Sequence, residues 1–190
     1  RAAAPAGEAS VDHRGDLLAS LADAQRDAGD ADAARKTELE RLALLEQAAS
    51  KAKTPTEAQV HDYARLTTLV SLGRADEAVS LLEARVRELP ESYEAHARLA
   101  SALMSAKRDR EALAPLERAI SLAYGPRKAR YLRQKSELCE RLGNRDLARL
   151  AAEQEVAELT ALKGGQRDAA RLAEAEARKR SLSKPAGAPP

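Results

Sequence analysis

The sequence predicts an all-α chain of stacked helical hairpins, an α-solenoid, and three observations carry that prediction. Ala, Leu, Arg and Glu dominate, while the 190 residues hold no Phe, no Trp and four Tyr. The abundant residues are strong helix formers, and strand-favouring ones are scarce. A pattern also returns at a fixed interval: Gly73-Arg74-Ala75-Asp76-Glu77-Ala78 with Leu81-Leu82 is answered by Asp109-Arg110-Glu111-Ala112 with Leu116 and Ala119-Ile120. Ala78 and Ala112 stand 34 residues apart, as do Leu82 and Leu116, and such a period marks stacked supersecondary units. Finally, a core without large aromatics must form by close approach of Ala and Leu faces, which suits thin two-layer stacks.

Residues 1–10 are mostly Ala, Pro and Gly and read as a flexible lead. Residues 11–180 read as one repeat domain of about four hairpins and a cap. In the first hairpin, about 12–53, Leu17, Leu18, Leu21 and Ala24 or Ala28 share a face. Gly29 ends that helix, and Asp30 caps a partner carrying Ala34, Leu42, Leu45 and Ala49. The second hairpin, 54–91, opens on Thr54-Pro55-Thr56-Glu57, with Thr54 as N-cap, Pro55 where its missing N–H is not needed and Glu57 completing a capping box. Val60, Tyr63, Leu66, Leu69 and Val70 are expected inward, opposite a partner helix that presents Ala78, Leu81, Leu82 and Val86 and that Pro90 stops.

Ser92 caps the third hairpin, 92–125. It carries Ala95, Leu99, Leu103 and Ala106, then Ala112, Leu113, Leu116 and Ile120, with Pro115 expected to bend the second helix. Gly125-Pro126 breaks the chain before the fourth, 126–163. That unit presents Leu132, Leu138, Cys139 and Leu142, then Leu147, Ala148, Ala151, Val156 and Leu159 across Gly143. The intervals of 44 from Ala34 to Ala78 and 36 from Ala112 to Ala148 make the outer units longer than the central ones. A last helix, 166–180, has Leu172 as its only large apolar residue and reads as a solvated cap, followed by a disordered tail at 181–190.

The net charge is +2, from 32 basic and 30 acidic residues, which argues against nucleic acid as partner. No apolar run approaches a membrane span. Cys139 stands alone, so no internal disulfide or multi-cysteine metal site forms, and its core-facing position reads as a buried, inert thiol. His13, His61 and His96 show no metal-ligand spacing, and no phosphate loop, nucleophile elbow or acid–base constellation is present. The expectation is no catalytic residue, no cofactor and no metal. Arg14-Gly15-Asp16 spells an adhesion tripeptide, but Asp16 reads more simply as a helix cap. Residues 127–149 hold eight Lys or Arg against Glu137, Glu140 and Asp146, and a salt-paired helix face explains them better than an anion site. The first residue is Arg1 rather than Met, which suggests a removed leader or a longer protein. The Ala-, Arg- and Leu-rich wording suggests a bacterial source.

The repeat resembles the tetratricopeptide family, best over 59–92 and 93–126. Leu99, Ala100, Ala112, Leu116 and Ala119 fall where that family packs its helices, as do Gly73, Ala78, Leu82 and Pro90. His96 replaces the usual Trp, Lys107 the turn glycine, and Asp62 and Arg65 stand at normally apolar places, so the first helix of that unit is expected to be shifted by one residue. The resemblance implies a right-handed solenoid whose first helices line a concave face that binds a peptide or partner protein. Unit by unit that face would present Val60, Tyr63, Thr67 and Val70, then Glu94, Ala97, Ser101 and Met104, then Arg130, Arg133 and Glu137. The face would be apolar at one end and basic at the other, though any one of these residues can equally serve packing. The Lys and Asn set with which some members hold a terminal carboxylate is missing. The arrangement around Ala123-Tyr124-Gly125-Pro126-Arg127-Lys128 is also similar to helical regions that follow a thioredoxin-like domain in some bacterial exported proteins. That second resemblance implies an accessory domain and favours an exported location. A structural or self-associating subunit is the remaining alternative.

Overall fold

The structure, a computed structural model, describes residues 10–166 and 168–183. The expected lead at 1–9 and the tail at 184–190 lie outside the described residues. Every regular element described is helical: α1 Val11–Asp27, α2 Ala31–Ser50, α3 Pro55–Gln59, α4 Asp62–Ser71, α5 Ala75–Glu88, α6 Tyr93–Ser105, α7 Asp109–Leu122, α8 Gly125–Arg141, α9 Arg145–Ala161 and α10 Ala169–Ser183. The chain divides into two compact units, Arg1–Leu89 and Pro90–Pro190.

The hairpin turns share one construction. Asp30, Arg74, Arg108 and Asn144 each donate a backbone N–H to the carbonyl five residues back (Gln25, Leu69, Leu103 and Cys139), at 2.8–2.9 Å. These bonds close the outgoing helices with a residue in the left-handed region. Gly29, Gly73 and Gly143 supply it at φ of 82°, 74° and 74°, and Lys107 adopts it at 62° despite its side chain. The following helices start in two ways. Asp30 and Asn144 cap by accepting from the N–H groups of Ala33 and Leu147. Arg74 and Arg108 cannot, and instead each grips the glutamate three residues on, Glu77 or Glu111, through two guanidinium nitrogens.

Thr54 caps α3 as expected, accepting from the Glu57 N–H at 3.2 Å, while the Glu57 carboxylate reaches back to the Lys53 N–H at 2.7 Å. The continuous helix expected from there is broken at Val60–His61, and α4 begins at Asp62. The inward stripe of this segment is Ala58, Asp62, Leu66 and Leu69, so Val60, Tyr63 and Val70 face solvent rather than the core. Asp62 itself stands at the inward place, paired with Arg85, so the segment differs from the expected one by a break at 60–61 and not by the one-residue shift inferred from Asp62. In α1 the stripe is likewise displaced: Gly15 and Ala22 are buried, Leu17 and Leu21 are exposed, and Asp16 lies within a helix that Ser10 caps.

The first unit is held by buried polar groups as well as by Ala34, Leu42, Leu45, Ala78 and Leu82. Arg41 on α2 donates to the Gly15 carbonyl of α1 at 3.0 Å and to the Thr68 hydroxyl of α4 at 2.9 Å. Glu38 accepts from Arg26 of α1 and Ser71 of α4. Asp62, fully buried, accepts from Arg85 of α5 at 2.7 and 3.3 Å, with Arg65 at 3.7 Å. That hydrogen bond, more than any other influence, raises the Arg85 pKa.

The second unit follows the expected apolar plan. Ala95, Ala100, Ala102, Ala112, Leu116, Ala119, Ala148 and Ala152 are wholly buried. α7 runs as one helix past Pro115. The Ser136 hydroxyl of α8 donates to the Ala148 carbonyl of α9 at 2.9 Å. The closing helix is packed rather than solvated. Ala175 joins Ala129, Leu159 and Leu162, while Leu182 sits against Cys139, Ala148 and Ala152. α10 therefore continues through 181–183, where a disordered tail was expected. Arg178 of α10 reaches buried Glu155 of α9 at 2.9 Å, yet burial outweighs that contact and raises the Glu155 carboxyl above its usual range.

Three expectations follow for urea unfolding. Leu116→Ala will cost about 2–5 kcal/mol, while Leu17→Ala, on an exposed face, will stay within about 0.5 kcal/mol. Asp62→Ala will cost about 3–5 kcal/mol by stranding Arg85, and Asp62→Leu combined with Arg85→Met will recover most of it. Glu155 binds its proton more tightly folded than unfolded, so its contribution is present in acid and is lost as pH rises from the ordinary glutamate value of 4.5 through its raised one. Stability measured across that window will therefore fall more steeply with rising pH in the parent than in Glu155→Gln.

Candidate partner-binding faces

The first helices of the hairpins carry the side chains that the sequence nominates for partner binding, and the two units expose them differently. In the first unit, Val60 and Tyr63 are 62% and 59% exposed, and Val70 stands at the same surface. Thr67, between them, turns its hydroxyl to the Ala64 carbonyl at 3.0 Å and is partly covered. Tyr63, Thr67 and Val70 recur at helical spacing along α4 and so share one side of it, while Val60 is exposed in the turn before it. A tyrosine and two valines left in water form an apolar strip of the kind that a partner side chain can cover.

In α6 the nominated residues are more enclosed. Ala97 is buried and packs, while Glu94, Ser101 and Met104 are partly covered. The Ser101 hydroxyl donates to the Ala97 carbonyl at 3.0 Å, so its polarity is largely spent within the helix. In α8, Arg130 is exposed, but Arg133 and Glu137 belong to the packing of α10. Arg133 bonds Glu137 at 2.9 Å and reaches Glu174 of α10 at 3.4 Å, while Glu137 also lies 3.5 Å from Arg178. Hydrogen bonding to Glu137 leads the influences that raise the Arg133 pKa. The basic end expected there is thus narrower than the sequence suggests, because the capping helix engages two of its three residues.

The same holds for the basic stretch 127–149. Lys128, Lys135, Arg141 and Arg149 pair with Glu158, Glu117, Asp109 and Glu153. Arg145 donates to the Leu182 and Ser181 carbonyls. Two cations are left to other work. The Arg127 guanidinium carbon lies 5.7 Å from the centre of the Tyr93 ring, and that of Arg130 is 5.7 Å from the Tyr131 ring. Tyr93 also meets Tyr131 at 6.3 Å and Tyr124 at 6.5 Å, the latter edge to face. Burial raises the Tyr93 and Tyr131 pKa values, so both hydroxyls stay protonated at neutral pH.

Sequence reasoning missed this cluster. Tyr93 starts one hairpin while Tyr124 and Tyr131 open the next, and only packing of α6 beside α8 brings them together. The recurrence Tyr124, Arg127, Tyr131 at helical spacing was the available signal.

Other candidates resolve into packing. His96 is buried with its Nε2 2.8 Å from the Pro90 carbonyl, and Cys139 is buried with its thiol pKa pushed up by desolvation. Among the described residues, no group of three His, Cys, Asp or Glu could hold a metal ion. No described helix is long and apolar enough to cross a membrane. A depression of about 430 Å³ in the first unit is walled partly by Arg65, Arg85 and Glu88, and Arg85 is already committed to Asp62 and Glu88.

Comparison with solved structures places this architecture. BtubC (BKLC) from P. vanneervenii superposes with a TM-score of 0.63 at 18% identity, over 91% of this chain and 74% of that one. A putative kinesin light chain from Podosopora anserina, built of nearly identical TPR-like repeats, gives 0.57 at 19% identity, over 90% of each chain. At such identities the likeness is one of fold. No curated protein matches the sequence. Residues 69–135 match the tetratricopeptide repeat family, a match that takes in α5, α6, α7 and part of each flanking helix. Residues 69–135 are thus similar to tetratricopeptide repeats, and the described residues share the helical-repeat fold of these solved structures.

Proposed function

We propose that this chain is a non-catalytic module that holds a peptide or partner protein along the first-helix faces of its hairpins. The observation that carries the reading is the exposed strip of Val60, Tyr63 and Val70, kept apolar in a segment whose core positions are filled by Leu66, Leu69 and even a charged Asp62. Side chains excluded from the core and still apolar favour a surface that is covered part of the time. Thr67 continues that strip, and Glu94, Ser101, Met104 and Arg130 offer a second face in the other unit. Ala97 supports that face from within, and Arg133 with Glu137 fixes its border against α10. Protein partners suit a tetratricopeptide fold, and the small net charge leaves little general attraction for nucleic acid.

The test immobilises the chain and compares what the parent and the variants retain from a lysate, with helical content checked by circular dichroism. Tyr63→Ala will reduce retention of the same protein several-fold at unchanged helicity, and Arg133→Glu will do so for a partner of the second unit. Retention undiminished by both variants would remove the reading.

A second reading, self-association, is favoured by Leu17 and Leu21, which are 56% and 48% exposed on successive turns of α1. Light scattering over a concentration series decides it. Growth in mass that Leu17→Glu abolishes supports it, and a constant monomer mass rules it out.

A further inference from the structure

We propose that Tyr124, Arg127 and Arg130, seated on the Tyr93–Tyr131 pair, form a docking site for an acidic peptide segment of a partner protein. This rests on the reading of the α6 and α8 face as partner-binding and gives that face its chemistry. Three of the four tyrosines of the chain meet here. Tyr131 is buried, Tyr93 is partly covered, and Tyr124 is 74% exposed, the most exposed large hydrophobic side chain among the described residues. Tyr93 and Tyr131 pack against each other, and Tyr124 adds an exposed apolar contact beside Tyr93.

The cations give the site its sign. Arg127 and Arg130 are exposed, and among the described residues neither forms an ion pair, although the six other basic residues of 127–149 have anionic or carbonyl partners. Each guanidinium lies at cation–π distance from a ring, a contact that holds its position. A guanidinium held beside a ring without an ion-pair partner keeps N–H donors for a carboxylate, in the fork geometry that such a group matches. Glu94, the nearest acid on α6, accepts from the Tyr93 hydroxyl at 3.4 Å. Two oriented guanidinium groups beside one exposed ring therefore suit one or two carboxylates adjoining an apolar residue.

Nucleic acid is the less suited occupant. A single strand needs several exposed rings for successive bases and a continuous cationic track for its backbone. Here one ring is open, and the cations on either side are neutralised by Glu158, Glu137 and Glu117.

The experiment is fluorescence anisotropy of the full chain with three fluorescein-labelled probes: a short peptide of glutamates flanking a leucine, its glutamine counterpart, and oligo-thymidine. The glutamate peptide will bind most tightly and will weaken as salt is raised. Arg127→Ala with Arg130→Ala will lower its affinity about tenfold, and Tyr124→Ala about threefold. Arg141→Ala with Arg149→Ala, which removes equal charge from two ion-paired residues, will change affinity by less than about twofold. Tyr124, Arg127 and Arg130 are exposed, and circular dichroism will confirm that every variant is folded. Equal binding of the glutamine peptide, tighter binding of oligo-thymidine, or a loss in the Arg141 and Arg149 variant as large as that in the Arg127 and Arg130 variant would each overturn the assignment. The Tyr63→Ala retention experiment reads α4 without these probes, so the two readings fail separately.

Discussion

Close approach of helices through alanine is the constraint on which the rest of this structure depends. A chain with no Phe and no Trp cannot fill wide gaps between helices, so its helices must lie near one another. Ala78, Ala100, Ala112, Ala119, Ala148 and Ala152 occupy the contact positions and lose essentially all access to solvent. Leucines such as Leu82, Leu116 and Leu138 then fill the space beside them. Thin packing of this kind leaves much helix surface outside, and the faces that can meet a partner are part of that surface.

The two units solve the same packing problem with different materials. The second is apolar inside and adds few polar links, of which Ser136 to Ala148 and Glu155 to Arg178 are the most buried. The first spends Thr37, Glu38, Arg41, Asp62, Thr68 and Arg85 on buried polar contacts that tie α1, α2, α4 and α5 together. Buried charges hold only when each has its partner, so these contacts fix one arrangement of helices at the expense of tolerance to substitution. The break before Asp62 belongs to this economy. It turns Asp62 inward to Arg85 and leaves Val60 and Tyr63 outside, so the polar core of the unit and its exposed apolar strip have one origin.

Charge follows a similar division in the second unit. Nearly every cation between 127 and 149 is neutralised close by, which confines the available positive charge to two arginines that rest on tyrosines. A nearly neutral chain can thus carry a local preference for anions without an electrostatic field that reaches further than a Debye length or so.

Residue order alone determined most of the helices, their turns and their spacing, because those depend on neighbours a few positions away. The glycines at 29, 73 and 143, the caps at Asp30, Thr54 and Ser92, and the 34-residue recurrence of Ala and Leu are all local signals. Asp62 and Arg65 marked that segment as irregular, though its break at 60–61 and the burial of Asp62 against Arg85 were not legible. Tertiary structure decided which faces remain open. Leu17 and Leu21 share a face with Ala24 and Ala28 in a helical projection, and only the seat of α1 on α2 through Gly15, on another side of the helix, leaves that face outside. The capping helix, polar by composition, buries Ala175 and Leu182 and engages Arg133 and Glu137 in ion pairs at its edge. The meeting of Tyr93 with Tyr124 and Tyr131 depends on hairpins that only folding brings together. Exposure is a property of what packs alongside, and no stretch of sequence contains its own neighbours.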